Sequence, residues 1–184
     1  HELIIHPRIQ TDMYRGVPRL GAYEKAVNRL KMPLCYNGNL FSAADYKRIT
    51  ERFPDTCCFM YGRGLITNPG LVTEIREGIR PDKKTVREFH DCLFEEYREL
   101  LSGERNVLFR MKELWSYLAP MFTNNKKYAK KIKKAEKCVV YENTVRELFS
   151  CEQFKKGAEA KGHQVNMVQS LRRLYEKWRY LCIK

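Results

Sequence analysis

The sequence predicts an α/β region of parallel strands followed by an all-α region, and three observations carry that expectation. Over the first 80 residues, short apolar runs alternate with stretches of helical periodicity at about 25–30 residues per unit, the spacing of strand–helix–strand crossovers. Residues 84–184 keep helical periodicity but hold no convincing strand. Between the two, "IRPDKKT" (Ile79–Thr85) interrupts both patterns. The expected boundary therefore lies near residue 82, with domains at 1–82 and 83–184. A chain of 184 residues has room for one good-sized domain or one and a half small ones.

The first strand is the apolar run "LIIH" (Leu3–His6). After a polar stretch, "RLGAYEKAVNRL" (Arg19–Leu30) puts Leu20, Tyr23, Ala26, Val27 and Leu30 on one helical face. "MPLCY" (Met32–Tyr36) is the second strand. The helix after it, "SAADYKRITERF", has Ser42 as N-cap and Asp45 at the third helical position. "CCFMY" (Cys57–Tyr61) is the third strand. "NPGLVTEI" (Asn68–Ile75) opens a third helix, with Pro69 suited to its first turn. Three strands are too few to bury both faces of a parallel sheet. The region reads as the end of a larger α/β domain, or as one that needs a second copy or a complementing N-terminal half to complete its sheet.

The helical part begins with "VREFHDCLFEEYRELL" (Val86–Leu101), whose periodicity runs through Phe89, Cys92, Leu93, Tyr97, Leu100 and Leu101. "SGER" is a break. "NVLFRMKELWSYLAPMF" (Asn106–Phe122) is the next helix, ending near Pro120. "NNKKYAKKIKKAEK" (Asn124–Lys137) is short and basic, and "YENTVRELFS" (Tyr141–Ser150) follows. "QVNMVQSLRRLYEKWRYLCI" (Gln164–Ile183) reads as a last, long amphipathic helix.

Composition narrows the function classes. Hydrophobic residues make up 43% of the chain, which excludes global disorder. There is no run of 18 apolar residues for a transmembrane helix, and "HELIIHPR" lacks the basic start of a signal peptide. The seven cysteines are odd in number and irregular in spacing, which fits neither a zinc knuckle nor a disulfide framework. They read as reduced thiols in a cytoplasmic protein, with Cys35, Cys57 and Cys58 as small hydrophobes in or beside buried strands. The net charge is +13. Residues 1–83 carry 13 basic and 9 acidic side chains, and residues 84–184 carry 22 and 13. That imbalance favours a polyanionic partner, most simply nucleic acid, over a solvated basic surface with no partner.

In parallel α/β domains chemistry gathers where strands end. The first strand closes with His6 and Arg8, the second with Asn37, Gly38 and Asn39, the third with Gly62, Arg63 and Gly64. Glycine lets backbone N–H groups approach an anion, and a following helix N-terminus adds partial positive charge. Either glycine motif alone is ordinary turn chemistry. Two at consecutive strand ends, with a polar third beside them, point to a phosphate site. His6 and Arg8 face the same side of the strand if the chain stays extended there. His90, His163 and His1 have no comparable context.

Together, "IHPRIQTDMYRGVPRLGAYEKAV", "MPLCYNGNLFSAADYKRI" and "FMYGRGLITNPGLVTEI" resemble the last three βα units of a tRNA-dihydrouridine synthase barrel. "FHDCLFEEYRELLSGERNVLFRMKELWSYL" (Phe89–Leu118) resembles the same family's helical domain. The likeness runs to about residue 150 and leaves the last 34 residues unmatched. It implies the C-terminal portion of a TIM (β/α)8 barrel, as three parallel βα units, followed by a helical tRNA-binding bundle. It implies FMN as cofactor, NADPH as reductant, and reduction of the C5–C6 double bond of uridines in tRNA. His6 would contact the flavin, Arg8 would lie beside it, and Asn37, Gly38, Asn39, Gly62, Arg63 and Gly64 would hold the phosphate, mainly through backbone N–H groups. Where the family usually has aspartate, this chain has Asn39. The family's proton-donating cysteine and flavin-contacting lysine lie upstream of these strands, and none of the cysteines here has that context. The chain alone is therefore expected to be inactive. The alternative is a non-catalytic RNA-binding relative. The tRNA would be gripped by Lys126, Lys127, Lys130, Lys131, Lys133 and Lys134, a cluster that alone reads equally well as a solvated face, with Arg110 and Lys112 extending the surface. Trp115 and Tyr117 read as core rather than base-stacking residues.

Overall fold

The computed structural model describes residues 2–12 and 16–154. They fall into two compact units, divided between Leu65 and Ile66. The long helix expected at Gln164–Ile183 lies outside the described residues.

The first unit is a three-stranded parallel sheet in the order β1-β2-β3, where β1 is Leu3–Ile5, β2 is Leu34–Asn37 and β3 is Cys58–Met60. The crossovers are α1 (Leu20–Arg29) and α2 (Ala43–Arg52). Ile5, Tyr36 and Phe59 align across the sheet and pack with Tyr23, Leu34, Leu40, Ile49 and Phe53 into one apolar cluster. Tyr23 meets Tyr36 and Phe53 edge-on at 5.0 and 5.1 Å, and its hydroxyl is satisfied by Thr56 Oγ1 at 3.0 Å. Because strand side chains alternate, Ile4, Cys35, Cys58 and Met60 fall on the other face. Ile4 and Met60 there are 46% and 40% exposed, so the outer strands of that face are open while its centre is not. Cys35 is buried, and burial together with the neighbouring Cys58 pushes its thiol up to about 12. Cys57, expected as a buried hydrophobe, is exposed.

The second unit is helical. Its elements are α4 (Leu71–Glu77), α5 (Lys83–Leu100), α6 (Glu104–Leu118), α7 (Asn125–Lys134) and α8 (Cys138–Cys151), and α3 (Arg63–Thr67) straddles the division. The position expected for the domain boundary, residue 82, falls inside this unit. Residues 66–82 are tied together there: Glu74 accepts from Asn68 Nδ2 at 2.7 Å and pairs with Arg80 at 3.0 Å. A side chain at Gly70 would meet the Pro81 ring at 2.7 Å. Pro69 precedes the helix rather than opening it, since Gly70 is the N-cap of α4.

The core of this unit joins Val86, Phe94, Leu108, Met111, Trp115, Leu118, Phe122, Tyr128, Ile132, Tyr141, Val145 and Leu148. Asp82 caps α5 by accepting from the Thr85 N–H at 2.7 Å, so the helix starts three residues before the apolar periodicity does. Its buried residues are Val86, His90 and Phe94. The expected stripe through Phe89, Leu93 and Tyr97 only flanks the core, and Leu100 is exposed.

His90 occupies the centre of the stripe and is 2% exposed. Trp115 Nε1 donates to Tyr141 Oη at 2.7 Å, and Tyr141 Oη lies 2.5 Å from His90 Nε2. A carboxylate only accepts, so His90 carries its hydrogen on Nδ1 and donates to Asp91 Oδ1 at 2.8 Å. Nε2 of the neutral ring then accepts from the Tyr141 hydroxyl. Arg87 closes the chain on Asp91 at 2.7 Å. Burial pushes the imidazole below its ordinary value despite Asp91. Burial opposes the Asp91 charge, but hydrogen bonds from His90 and Arg87 outweigh it and hold that carboxyl below its ordinary range.

Candidate functional site

All three strand ends in the first unit converge, and Asn39 joins them. Its Oδ1 accepts from Arg8 Nη2 and from Arg63 Nη2, each at 3.2 Å. Its Nδ2 donates to the Gly16 carbonyl at 3.4 Å, and Arg8 Nη2 donates to the same carbonyl at 2.7 Å. Asn39 thus ties the end of β1 to the start of α3. The Arg63 guanidinium also lies over the Phe41 ring, 5.4 Å from its centroid. Asn37 adds a parallel link, with Nδ2 donating to the Met60 carbonyl at 3.4 Å.

His6 is fixed to the same layer. Its Nδ1 lies 2.9 Å from the Asn37 carbonyl. A carbonyl only accepts, so Nδ1 carries a hydrogen and donates to it. The chain does not stay extended through Arg8, the condition on which the two side chains would share a side. The Arg8 N–H turns back to the His6 carbonyl at 2.7 Å. The two side chains reach the second strand end separately, His6 at Asn37 and Arg8 at Asn39.

The glycines divide. A Cβ at Gly38 would sit 2.2 Å from Tyr36 Oη, so glycine is required there to seat a buried tyrosine. At Gly62 a Cβ would meet nothing within 4 Å, which leaves open space beside Arg63. Gly64 is buried in α3. The first turn of α2 is closed by its own side chains. Asp45 N–H donates to Ser42 Oγ at 3.1 Å, and Asp45 Oδ2 accepts from the Phe41 N–H at 3.1 Å. That carboxylate offsets the positive end of the helix, so the cationic character at this strand end comes from the guanidiniums rather than the helix terminus. Two arginines beside the open Gly62 form a donor set suited to a phosphate group.

The lysine cluster lies on α7. Tyr128 and Ile132 are buried, and all six lysines are exposed. Glu147 of α8 separates them into two groups. It holds Lys131 at 2.8 Å and Lys127 at 3.8 Å, and it accepts from Tyr128 Oη at 3.3 Å. Hydrogen bonding from Lys131 holds the Glu147 carboxyl below its ordinary range. None of the ion pairs among the described residues involves Lys126, Lys130, Lys133 or Lys134. Arg110 pairs within α6 with Glu113 at 3.5 Å, and Lys112 is half-buried. Trp115 is buried and Tyr117 half-buried, whereas Phe109 is 66% exposed with the Arg110 guanidinium 5.9 Å from its ring. Its place off the apolar stripe of α6 was the sequence signal for that exposure. Among the described residues no cluster suits a metal ion, and no helix is long and apolar enough to cross a membrane.

No curated protein sequence matches the chain. The model of the dihydrouridine synthase family matches residues 1–170, past the point near residue 150 where the motif likeness stops. That match covers most of the 184 residues, and the chain belongs to the dihydrouridine synthase family.

Proposed function

We propose that this chain supplies the flavin-phosphate cradle and the RNA-gripping helices of an FMN-dependent tRNA-dihydrouridine synthase. The observation that carries the reading is the shared hold of Asn39 on Arg8 and Arg63 at the ends of three parallel strands. Arg8, Arg63 and the backbone around Asn37–Asn39 and Gly62 would hold the phosphate, and His6 would stand beside the flavin. When bound, FMN supplies the hydride for reduction of the uridine C5–C6 bond, with NADPH restoring it. The Asn37 carbonyl, 2.9 Å from His6 Nδ1, anchors the ring at the end of the second strand. Among the described residues none is assigned the proton-donor role. The four unpaired lysines of α7 would contact tRNA phosphates, and Phe109 would offer a face for stacking an unpaired base.

Purified chain incubated with FMN, NADPH and unmodified tRNA tests this. The expected outcome is retained flavin absorbance and no dihydrouridine. Dihydrouridine formed by the chain alone would show that a proton donor is present after all. A second reading, a non-catalytic RNA-binding relative, draws on the lysine stripe lying in a unit with its own core. Salt-dependent tRNA binding with no bound flavin would favour it.

A further inference from the structure

Cys35, Cys57 and Cys58 all lie in the first unit, and the sheet register pairs two of them. Cys35 of β2 stands directly opposite Cys58 of β3. Side chains alternate along a strand, so both point to the same face of the sheet. The Cys58 thiol is a hydrogen-bonding neighbour of the Cys35 thiol, and both thiols are free. Neighbouring strands lie about 4.8 Å apart, inside the roughly 4.4–6.8 Å of Cα separation that a disulfide spans. Cys57 falls outside the pair. It precedes Cys58 and points the other way, with its thiol toward the Leu34 carbonyl at 3.9 Å. The two paired thiols differ in access. Cys35 is buried on the central strand, whereas Cys58 is half-buried on an outer strand whose Met60 is open on the same face.

We propose that Cys35 and Cys58 form a redox-modification site, at which hydrogen peroxide converts the two thiols into a disulfide between β2 and β3. Cys58 is the sulfur that meets the oxidant. Its thiolate attacks one peroxide oxygen and the O–O bond breaks. The departing hydroxide takes up the proton that the thiol released, which leaves a sulfenic acid and one water. Cys35 then attacks the Cys58 sulfur. The S–S bond forms as the S–O bond breaks, and the Cys35 proton leaves with the hydroxyl as a second water. Two thiols lose two electrons, and one peroxide becomes two waters. Burial, with Cys58 beside it, pushes the Cys35 thiol up to about 12. That suits it to the second step, where its proton departs with the leaving group, and not to the first, where a thiolate is the nucleophile. A disulfide brings its Cβ atoms to about 3.8 Å, roughly 1 Å less than the strand spacing. The strands must draw together to form it, so a monothiol reopens the link readily.

The test treats the full chain with stoichiometric hydrogen peroxide, alkylates the remaining thiols and maps the digest by tandem mass spectrometry, with fragmentation distinguishing Cys57 from Cys58. The expected product is a single chain about 2 Da lighter before alkylation, with the Cys35 peptide joined to the Cys58 peptide. Two of the seven thiols are lost, and excess reduced glutathione restores all seven. Cys57→Ser is expected to leave the link unchanged. Cys35→Ala is expected to stop at the Cys58 sulfenic acid, which dimedone captures and which wild type does not accumulate. Cys58→Ala, at the less buried position, serves if Cys35→Ala fails to fold, and is expected to abolish loss of the Cys35 thiol. A link through Cys57, a link between two chains, oxygen added at a cysteine without any link, or no thiol lost would each overturn the proposal.

Discussion

Glu147 makes the lysines of α7 unequal, and that inequality sets a measurable salt dependence. At 3.6 residues per turn, and with Lys126 as origin, Lys130, Lys133 and Lys134 lie at about 40°, 340° and 80°, a stripe about 100° wide. Lys127 and Lys131 follow at about 100° and 140°, beside the buried Tyr128 and Ile132. Those two share the Glu147 carboxylate at 3.8 and 2.8 Å, so three groups present a net charge of only one. Each neutralised phosphate contributes about 0.7–0.9 to the slope of log K against log salt. Lys126→Ala with Lys130→Ala should therefore lower the slope by about 1.4–1.8, and Lys127→Ala with Lys131→Ala by only about 0.7–0.9. Removing all four stripe lysines should lower it by roughly 3, which corresponds to about 50- to 150-fold in the affinity lost between 50 and 200 mM salt. The assay is fluorescence anisotropy of a labelled, unmodified tRNA transcript at several salt concentrations. Equal slope losses for the two double variants, or a larger one for Lys127 and Lys131, would refute the reasoning that Glu147 spends one of their charges.

The buried chain of donors gives two further expectations. Tyr141→Phe leaves Trp115 Nε1 and His90 Nε2 without their shared partner, and should cost roughly 2–6 kcal/mol at about 1–3 kcal/mol per stranded group; urea unfolding followed through Trp115 in a Trp178→Phe background measures it. Because burial lowers the folded His90 value below the ordinary 6.5, the unfolded chain takes up a proton first as pH falls, and stability is lost from about pH 6.5 downwards. At pH 5.5 the loss from this group reaches at most about 1.4 kcal/mol, and a flat stability between pH 7.5 and 5.5 would contradict the assignment of a neutral, buried imidazole. In the first unit, Gly38→Ala forces a Cβ to within 2.2 Å of Tyr36 Oη and should destabilise by about 1–3 kcal/mol. Gly62→Ala, which meets nothing, should leave Tm unchanged; similar Tm values for the two variants would show that Tyr36 yields.

Much of the local structure was legible in the residues. The alternation of apolar runs and helical faces located all three strands and α1, α2, α6 and α7 to within a few residues. Ser42 and Asp45 made the capping interaction their spacing implied. Other features depended on partners the local pattern does not contain. The short α3 carries no periodicity over its five residues, and the sequence pattern places no helix there. The N-terminus of α5 is set by Asp82, outside the apolar stripe. His90 had no context in sequence because its partner Tyr141 is 51 residues away.

By itself the sequence determined which segments bury a face, where lysines gather, and the family to which the strand-end motifs belong. Those properties follow from spacing along the chain, since periodicity fixes which side chains share a side of a strand or helix. Only the tertiary structure decided which polar groups meet. Asn39 reaches Arg8 across 31 residues and Arg63 across 24, Gly38 answers to Tyr36 rather than to an anion, and Glu147 picks two lysines out of six. A hydrogen bond or ion pair needs its partners within a few ångströms in a particular orientation, and that geometry comes from how packed elements align, which no local pattern encodes.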